Sequence, residues 1–199
     1  MSLRQRESLL GAHRYINVEN GDWYDCVYSD FKEDMREIGI YVEHMYFSGF
    51  YSQGDGACFA GKFDNPKTYL DHHHKDQYPM IRKLLEHGGS VHVWCNHSGH
   101  YYHQFSTSFN TDHDTLYRLI DCPTEFHEQI VDTWDEQLEG EVDDFEQNVI
   151  EQWRTYMGDL YRDLGAEHDY LTSDEAVWET IAANELDEED FDEAAQTTG

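Results

Sequence analysis

Apolar residues recur at helical spacing after Asp22. Trp23, Val27, Phe31, Met35 and Ile38 fall three or four apart, and Gly39 follows them. The pattern predicts an amphipathic helix with Asp22 as its cap and Gly39 as its stop. Residues 41–50 are rich in Tyr, Phe and Val and read as a strand, with Ala57–Phe63 as its partner. Gln53–Gly56 is then the hairpin loop, where Gly54 and Gly56 permit positive φ and Asp55 can bond its own backbone. The same loop could instead present Ser52, Gln53 and Asp55 to a ligand. A short helix is predicted over 77–87, with Ile81, Leu84 and Leu85 inward and Gly88-Gly89 as its stop. The segment "SVHVWCNHSGHYYHQFS" predicts a second hairpin turning at Ser98-Gly99, which pairs Cys95 with Tyr102 and Trp94 with His103. Alternation then puts Val91, Val93, Cys95 and Tyr102 on a core face, and His92, Trp94, Tyr101, His103 and Phe105 on the other.

Beyond residue 120 the period is helical throughout. Phe126, Ile130, Trp134 and Leu138 lie four apart; after Gly140, Val142, Phe145, Val149, Trp153, Met157, Leu160 and Leu164 continue at three and four. This predicts one long amphipathic helix, or two broken near Gly140. Thr172 and Glu175 have capping-box spacing, which predicts a further helix over 173–184. The expected fold class is α+β: a small antiparallel sheet of two hairpins with flanking helices, followed by an acidic helical C-terminal region. The expected organisation is a core over 1–120, an acidic helical region over 121–185 packed on it, and an acidic tail over 186–199.

Charge sharpens this division. The chain of 199 residues carries 42 Asp and Glu against 13 Lys and Arg, a formal net charge of −29. Residues 1–120 hold 16 acids and 11 bases, whereas residues 121–199 hold 26 acids and two bases, Arg154 and Arg162. Like-charge repulsion argues against DNA or anionic lipid as a ligand of the second half, and a basic partner is its natural complement. Residues 121–164 contain 14 acids. Spread along about 60–65 Å of helix, they approach one charge per ~4–5 Å, against one per ~3.4 Å on a single DNA strand. The plainer alternative is a solvated helix face in an acid-rich proteome.

Candidate chemistry is sparse. No run of apolar residues is long enough to span a bilayer, and "MSLRQRESLLGAHRY" lacks the apolar core of a secretory signal. Cys26, Cys58, Cys95 and Cys122 form no CxxC pair and read as reduced thiols. His72, His73 and His74, and His97, His100 and His103 spaced by three, could offer Zn²⁺ ligands. Alternation separates His100 from His103, however, and no HExxH pattern occurs. There is no P-loop, GxSxG or GxGxxG, so no cofactor is expected, and nothing places Cys58 or Cys95 beside a base.

"YFSGFYSQGDGACFAG", preceded by "DWYDCVYSDFKE" and followed by "HSGHYYHQFS", resembles a group of poorly characterised tailed-phage proteins. These carry an SGF-x-SQGDGA-x-F segment and a downstream GHYYH-like segment. The resemblance covers roughly residues 22–108 and implies a phage origin and the cytoplasm of an infected host, without an activity. The acidic segment is similar to phage antirestriction DNA mimics in composition alone. The leading expectation is a non-enzymatic inhibitor of a host nucleic-acid-binding protein, of antirestriction or anti-CRISPR type. Its acidic surface, Asp132, Asp135, Glu136, Glu139, Glu141, Asp143, Asp144 and Glu146, would fill the partner's basic groove, with no direct nucleic acid or membrane contact and with a homodimer left open. The alternative is a small-ligand- or metal-binding protein or enzyme. It would use the loop residues Ser52, Gln53 and Asp55 with the sheet-face residues His92, Trp94 and His103.

Overall fold

Six helices and one four-stranded sheet are built by the described residues of the computed structural model, which are 2–86, 90–111 and 124–186, with backbone alone for 124–136 and 139. The chain is α+β. Two compact units are distinguished, residues 28–161 and residues 1–27 with 162–199. Two helices, α2 (Asp25–Glu37) and α5 (Thr124–Leu171), have residues in both.

In the larger unit β1 (Ile40–Ser48), β2 (Gly56–Phe63), β3 (Val93–His97) and β4 (Thr107–Thr111) pair in sequence order, all antiparallel. The two hairpins thus form a single sheet. A bulge between Val42 and His44 interrupts the β1–β2 ladder. β2 is buried along almost its whole length, because Phe59 and Phe63 meet aromatic rings from two helices. The Phe59 ring lies 5.8 Å from Phe31 of α2 and 5.7 Å from Trp153 of α5. Phe63 lies 5.3 Å from Trp153 and 6.0 Å from Phe145. Such offset and edge contacts between rings add to the area they bury. On α5 Val142, Phe145, Val149, Trp153, Met157, Leu160 and Leu164 are buried as expected, whereas the side chains of Phe126, Ile130 and Trp134 lie outside the described residues.

Two short helices flank the sheet. Asn65 caps α3 (Pro66–His73) by accepting from Thr68 N at 3.1 Å, and Pro66 takes the first turn, where a missing N–H costs nothing. Arg82, on α4 (Pro79–Glu86), closes the other end of α3. It donates to the Leu70 and His74 carbonyls at 3.0 and 2.8 Å and to Asp71 at 2.5 Å.

In the smaller unit α1 (Leu3–Ala12) carries a capping box between Ser2 and Gln5. Leu9 and Leu10 join Val177 and Ile181 of α6 (Asp174–Ala183) in a buried cluster, against which Ile16, Trp178 and Leu186 pack. Arg14 donates to Thr172 O at 2.9 Å and pairs with Asp174 at 2.6 Å.

Several sequence expectations need correction. The second hairpin does not turn tightly at Ser98-Gly99: Cys95 pairs with Phe109 and Trp94 with Asn110. Gly99 does turn the chain, at φ +97, but residues 98–106 stay out of the ladder as a loop closed by Ser98 N to Ser106 O at 2.7 Å. Tyr102, assigned to the core, is 38% exposed. α2 starts at Asp25 rather than at Asp22, whose carbonyl accepts from Asp25 N. Of the two expectations for α5, one long helix or two broken near Gly140, the unbroken helix is the one observed. α6 is capped by Ser173, which accepts from Ala176 N, while Thr172 bonds back to His168 O at 2.8 Å. Neither α1 nor α3 was expected. The proposed stop at Gly88-Gly89, Cys122, and residues 187–199 lie outside the described residues.

Candidate functional site

The loop after β1 (residues 49–55) and the loop after β3 (residues 98–106) pack on each other. Within the first, Asp55 folds the chain: its Oδ2 accepts from Tyr51 N at 2.9 Å and Ser52 N at 2.6 Å. This is the local side-chain turn that Asp favours. Gly54 has φ +97, and a Cβ there would lie 3.0 Å from the Tyr101 ring. Gly56 is glycine for a different reason than expected. Its φ is not positive, but a Cβ would meet His103 Cδ2 at 2.8 Å and Tyr102 O at 3.0 Å. The SQGDGA and GHYYH segments, with 41 residues between them, are therefore one surface feature held at glycine contacts.

Rings fix the second loop. Tyr102 stacks on Tyr46 of β1 at 5.4 Å and 12°, and His97 lies 5.0 Å from Tyr102 and 5.2 Å from Tyr46. His97 Nε2 lies 3.3 Å from Tyr101 O. His103 stacks on Phe105 at 5.2 Å, and its Nδ1 accepts from Phe105 N at 3.2 Å. Tyr101 and Phe105 remain largely exposed, at 58% and 66%.

Of the loop and sheet-face candidates, Ser52, Gln53 and Asp55 lie on the first loop and His103 on the second, against Gly56; Ser52 and Gln53 are exposed. His92 and Trp94 lie at the other end of β3. His92 pairs with Ser90 Oγ at 3.0 Å, and Trp94 stands opposite Lys62 and Asn110 in the ladder.

The acidic candidates divide. Glu141 Oε2 accepts from Met80 N at 2.8 Å and Ile81 N at 3.3 Å, so it caps the start of α4. Asp144 Oδ2 accepts from Tyr78 Oη at 2.8 Å and from Asn148 Nδ2 at 3.3 Å. Both are structural acceptors. Asp143 is exposed and Glu146 half-buried. The side chains of Asp132, Asp135, Glu136 and Glu139 lie outside the described residues. Beside Glu141 and Asp144 an open depression of about 620 Å³ is walled by Tyr78, Pro79 and Gly140.

A histidine–tyrosine cluster between α3 and α5 had no sequence prediction. Tyr156 Oη pairs with His73 Nε2 at 2.6 Å. Burial, and then the neighbouring His72 and His74, hold His73 down to about 4, and burial pushes Tyr156 up to about 12. Tyr69 is fully buried and also raised by burial. His73, Tyr156 and Tyr69 are neutral near pH 7, and His73 and Tyr156 serve as hydrogen-bonding partners rather than charges. An unfolded imidazole takes up a proton near 6.5, so unfolding is linked to proton uptake between about 6.5 and 4. Stability should therefore fall as pH drops through that window. His73→Gln should flatten this part of a melting-temperature profile; an unchanged slope would assign the loss to other groups.

Burial likewise pushes the Cys58 and Cys95 thiols up to about 11 and 12. Cys95 donates to Phe59 O at 3.3 Å. Thiols held protonated are poor nucleophiles. Among the described residues no group of three or more His, Cys, Asp or Glu could hold a metal ion, and no helix is long and apolar enough to cross a membrane.

No curated protein and no solved structure matches the chain. One family profile does, DUF8835, described as a domain of unknown function, over residues 23–174. That span takes in the sheet, both packed loops and α5, and the chain belongs to the DUF8835 family.

Proposed function

We propose that the chain is a phage-encoded, non-enzymatic inhibitor that binds a basic nucleic-acid-binding protein of the host cell, in the host cytoplasm. One observation carries the reading: 26 acids against two bases after residue 120. α5 buries its apolar series and turns Asp143 and Glu151 outward. Self-repulsion on this scale costs stability, and a basic partner would offset it.

The fold refines the expectation of mimicry. Between Gly140 and Tyr161 α5 carries six acids over about 33 Å, of which Glu141 and Asp144 accept hydrogen bonds from Met80, Ile81 and Tyr78. That is one per ~5–6 Å, against one per ~3.4 Å on a DNA strand. This stretch favours an electrostatic complement to a basic groove over a charge-for-charge copy of DNA.

Asp143→Asn with Glu151→Gln should weaken binding to the host partner and lessen its salt dependence, with the melting temperature nearly unchanged. Glu141→Gln should instead act on stability, because it weakens the cap of α4. Affinity equal at low and high salt would reject the reading.

A second reading, a ligand site at the packed loops, is favoured by the glycine contacts that unite the SQGDGA and GHYYH segments. Ser52→Ala with Gln53→Ala separates the two: loss of function with normal melting would place the site on the loops.

A further inference from the structure

Residues 40–63 and 90–111 supply the two packed loops and their strands. These 46 residues contain three charged side chains, Glu43, Asp55 and Lys62, in a chain that is 28% charged. Asp55 is itself occupied by the Tyr51 and Ser52 amides. A surface depleted of charge and enriched in aromatic rings has the composition of the centre of a protein interface. The rings are held in place by contacts within the fold, Tyr102 by its stack on Tyr46 and Tyr101 by its seat over Gly54, so little side-chain freedom remains to be lost on binding.

We propose that this paired-loop surface is the contact core for a partner protein that inserts arginine side chains between or over Tyr101, Tyr102 and Phe105. The proposal rests on the reading of the chain as a binder of a basic protein, and locates the contact away from the acids that attract it. Two observations select the occupant. A chain at −29 repels a second copy of itself and attracts a basic protein. The fold already uses rings of this region as cation acceptors: the Arg154 guanidinium lies 5.3 Å from the Phe105 centroid and 5.8 Å from Phe109, and Lys62 Nζ lies 5.6 Å from Tyr41. A guanidinium also stacks flat on a ring, which an ammonium cannot do. The acidic residues would then supply the long-range attraction and the loops the short-range fit.

The test uses the full chain with labelled aromatic rings, titrated with capped hexa-arginine and capped hexa-lysine peptides at physiological salt. The expected result is that hexa-arginine shifts the Tyr101, Tyr102 and Phe105 resonances and binds about three- to tenfold more tightly than hexa-lysine, as ring–guanidinium contacts at an open surface imply. Phe105→Ser should reduce that preference with an unchanged melting curve; the resonance map of the unsubstituted chain decides the matter if the variant misfolds. Binding of both peptides with equal affinity and no ring shifts would overturn the proposal and leave the basic-partner reading standing. No binding of either peptide, even at low salt, would overturn both. Ring shifts with a neutral oligosaccharide and none with hexa-arginine, or self-association that Phe105→Ser abolishes, would also overturn it.

Discussion

Trp153→Ala is expected to destabilise the chain by about 3–5 kcal/mol, the usual cost of emptying a large aromatic site. Trp153 is fully buried, and its ring lies 5.7, 5.3 and 5.9 Å from Phe59, Phe63 and Phe109. It joins α5 to rings of two strands, so no single neighbour can move to fill the cavity. A net stability of roughly 5–15 kcal/mol is typical, and this one change would remove a large share of it. Trp153→Phe should cost far less. It keeps an aromatic ring and removes the indole Nε1, which is buried with no acceptor among the described residues. Urea unfolding of the two variants measures the contrast. A loss below about 1 kcal/mol for the alanine variant would mean that the aromatic core does not anchor α5.

Gly39→Ala is the second large effect, at about 2–4 kcal/mol. Gly39 ends the α2 segment with φ +83, a conformation costly for any residue with a Cβ. An added Cβ would collide with the Asn65 carbonyl and stand 3.2 Å from Thr68 Cβ. Gly39 O meanwhile accepts from Asp64 N and Asn65 N at 2.9 and 3.0 Å. The obstacle is backbone at the cap of α3, so relief would displace the start of that helix. Gly140→Ala is the control. It lies inside α5 with nothing within 4 Å of its Cβ position. Alanine there should stabilise by about 0.5–1 kcal/mol through helix propensity. Equal thermal shifts for the two variants would contradict both assignments.

The parts of the fold legible in the sequence were those with a strong period or a strong composition. The run from Val142 to Leu164 marked the buried face of α5, and the aromatic-rich stretch before the Gln53–Gly56 turn marked the first hairpin. The second hairpin misled because Ser98-Gly99 is a sound turn signal. What moved the return strand to Thr107 is tertiary: Tyr101, Tyr102 and His103 pack on Gly54, Tyr46 and Gly56. No local pattern of β3 and β4 contains that information. α1 and α3 were readable from their caps, Ser2 with Gln5 and Asn65 before Pro66, but both helices are short and their apolar stripes narrow. Of the candidate sites, the sequence marked the Gln53–Gly56 loop and the downstream histidines without showing that they meet. It also could not show that Glu141 and Asp144 serve as hydrogen-bond acceptors, because they look like their neighbours until α4 and Tyr78 are folded against them. The His73–Tyr156 pair spans 83 residues and has no sequence signature.

Competition with nucleic acid tests most directly whether the acidic chain occupies a basic groove. A host nucleic-acid-binding protein retained by the immobilised chain would be challenged with its own duplex or guide RNA. The expected result is mutual exclusion: nucleic acid releases the host protein, excess chain strips the host protein from nucleic acid, and the Asp143→Asn, Glu151→Gln variant does so less well. A stable ternary complex of chain, host protein and nucleic acid, with no displacement in either direction, would contradict it.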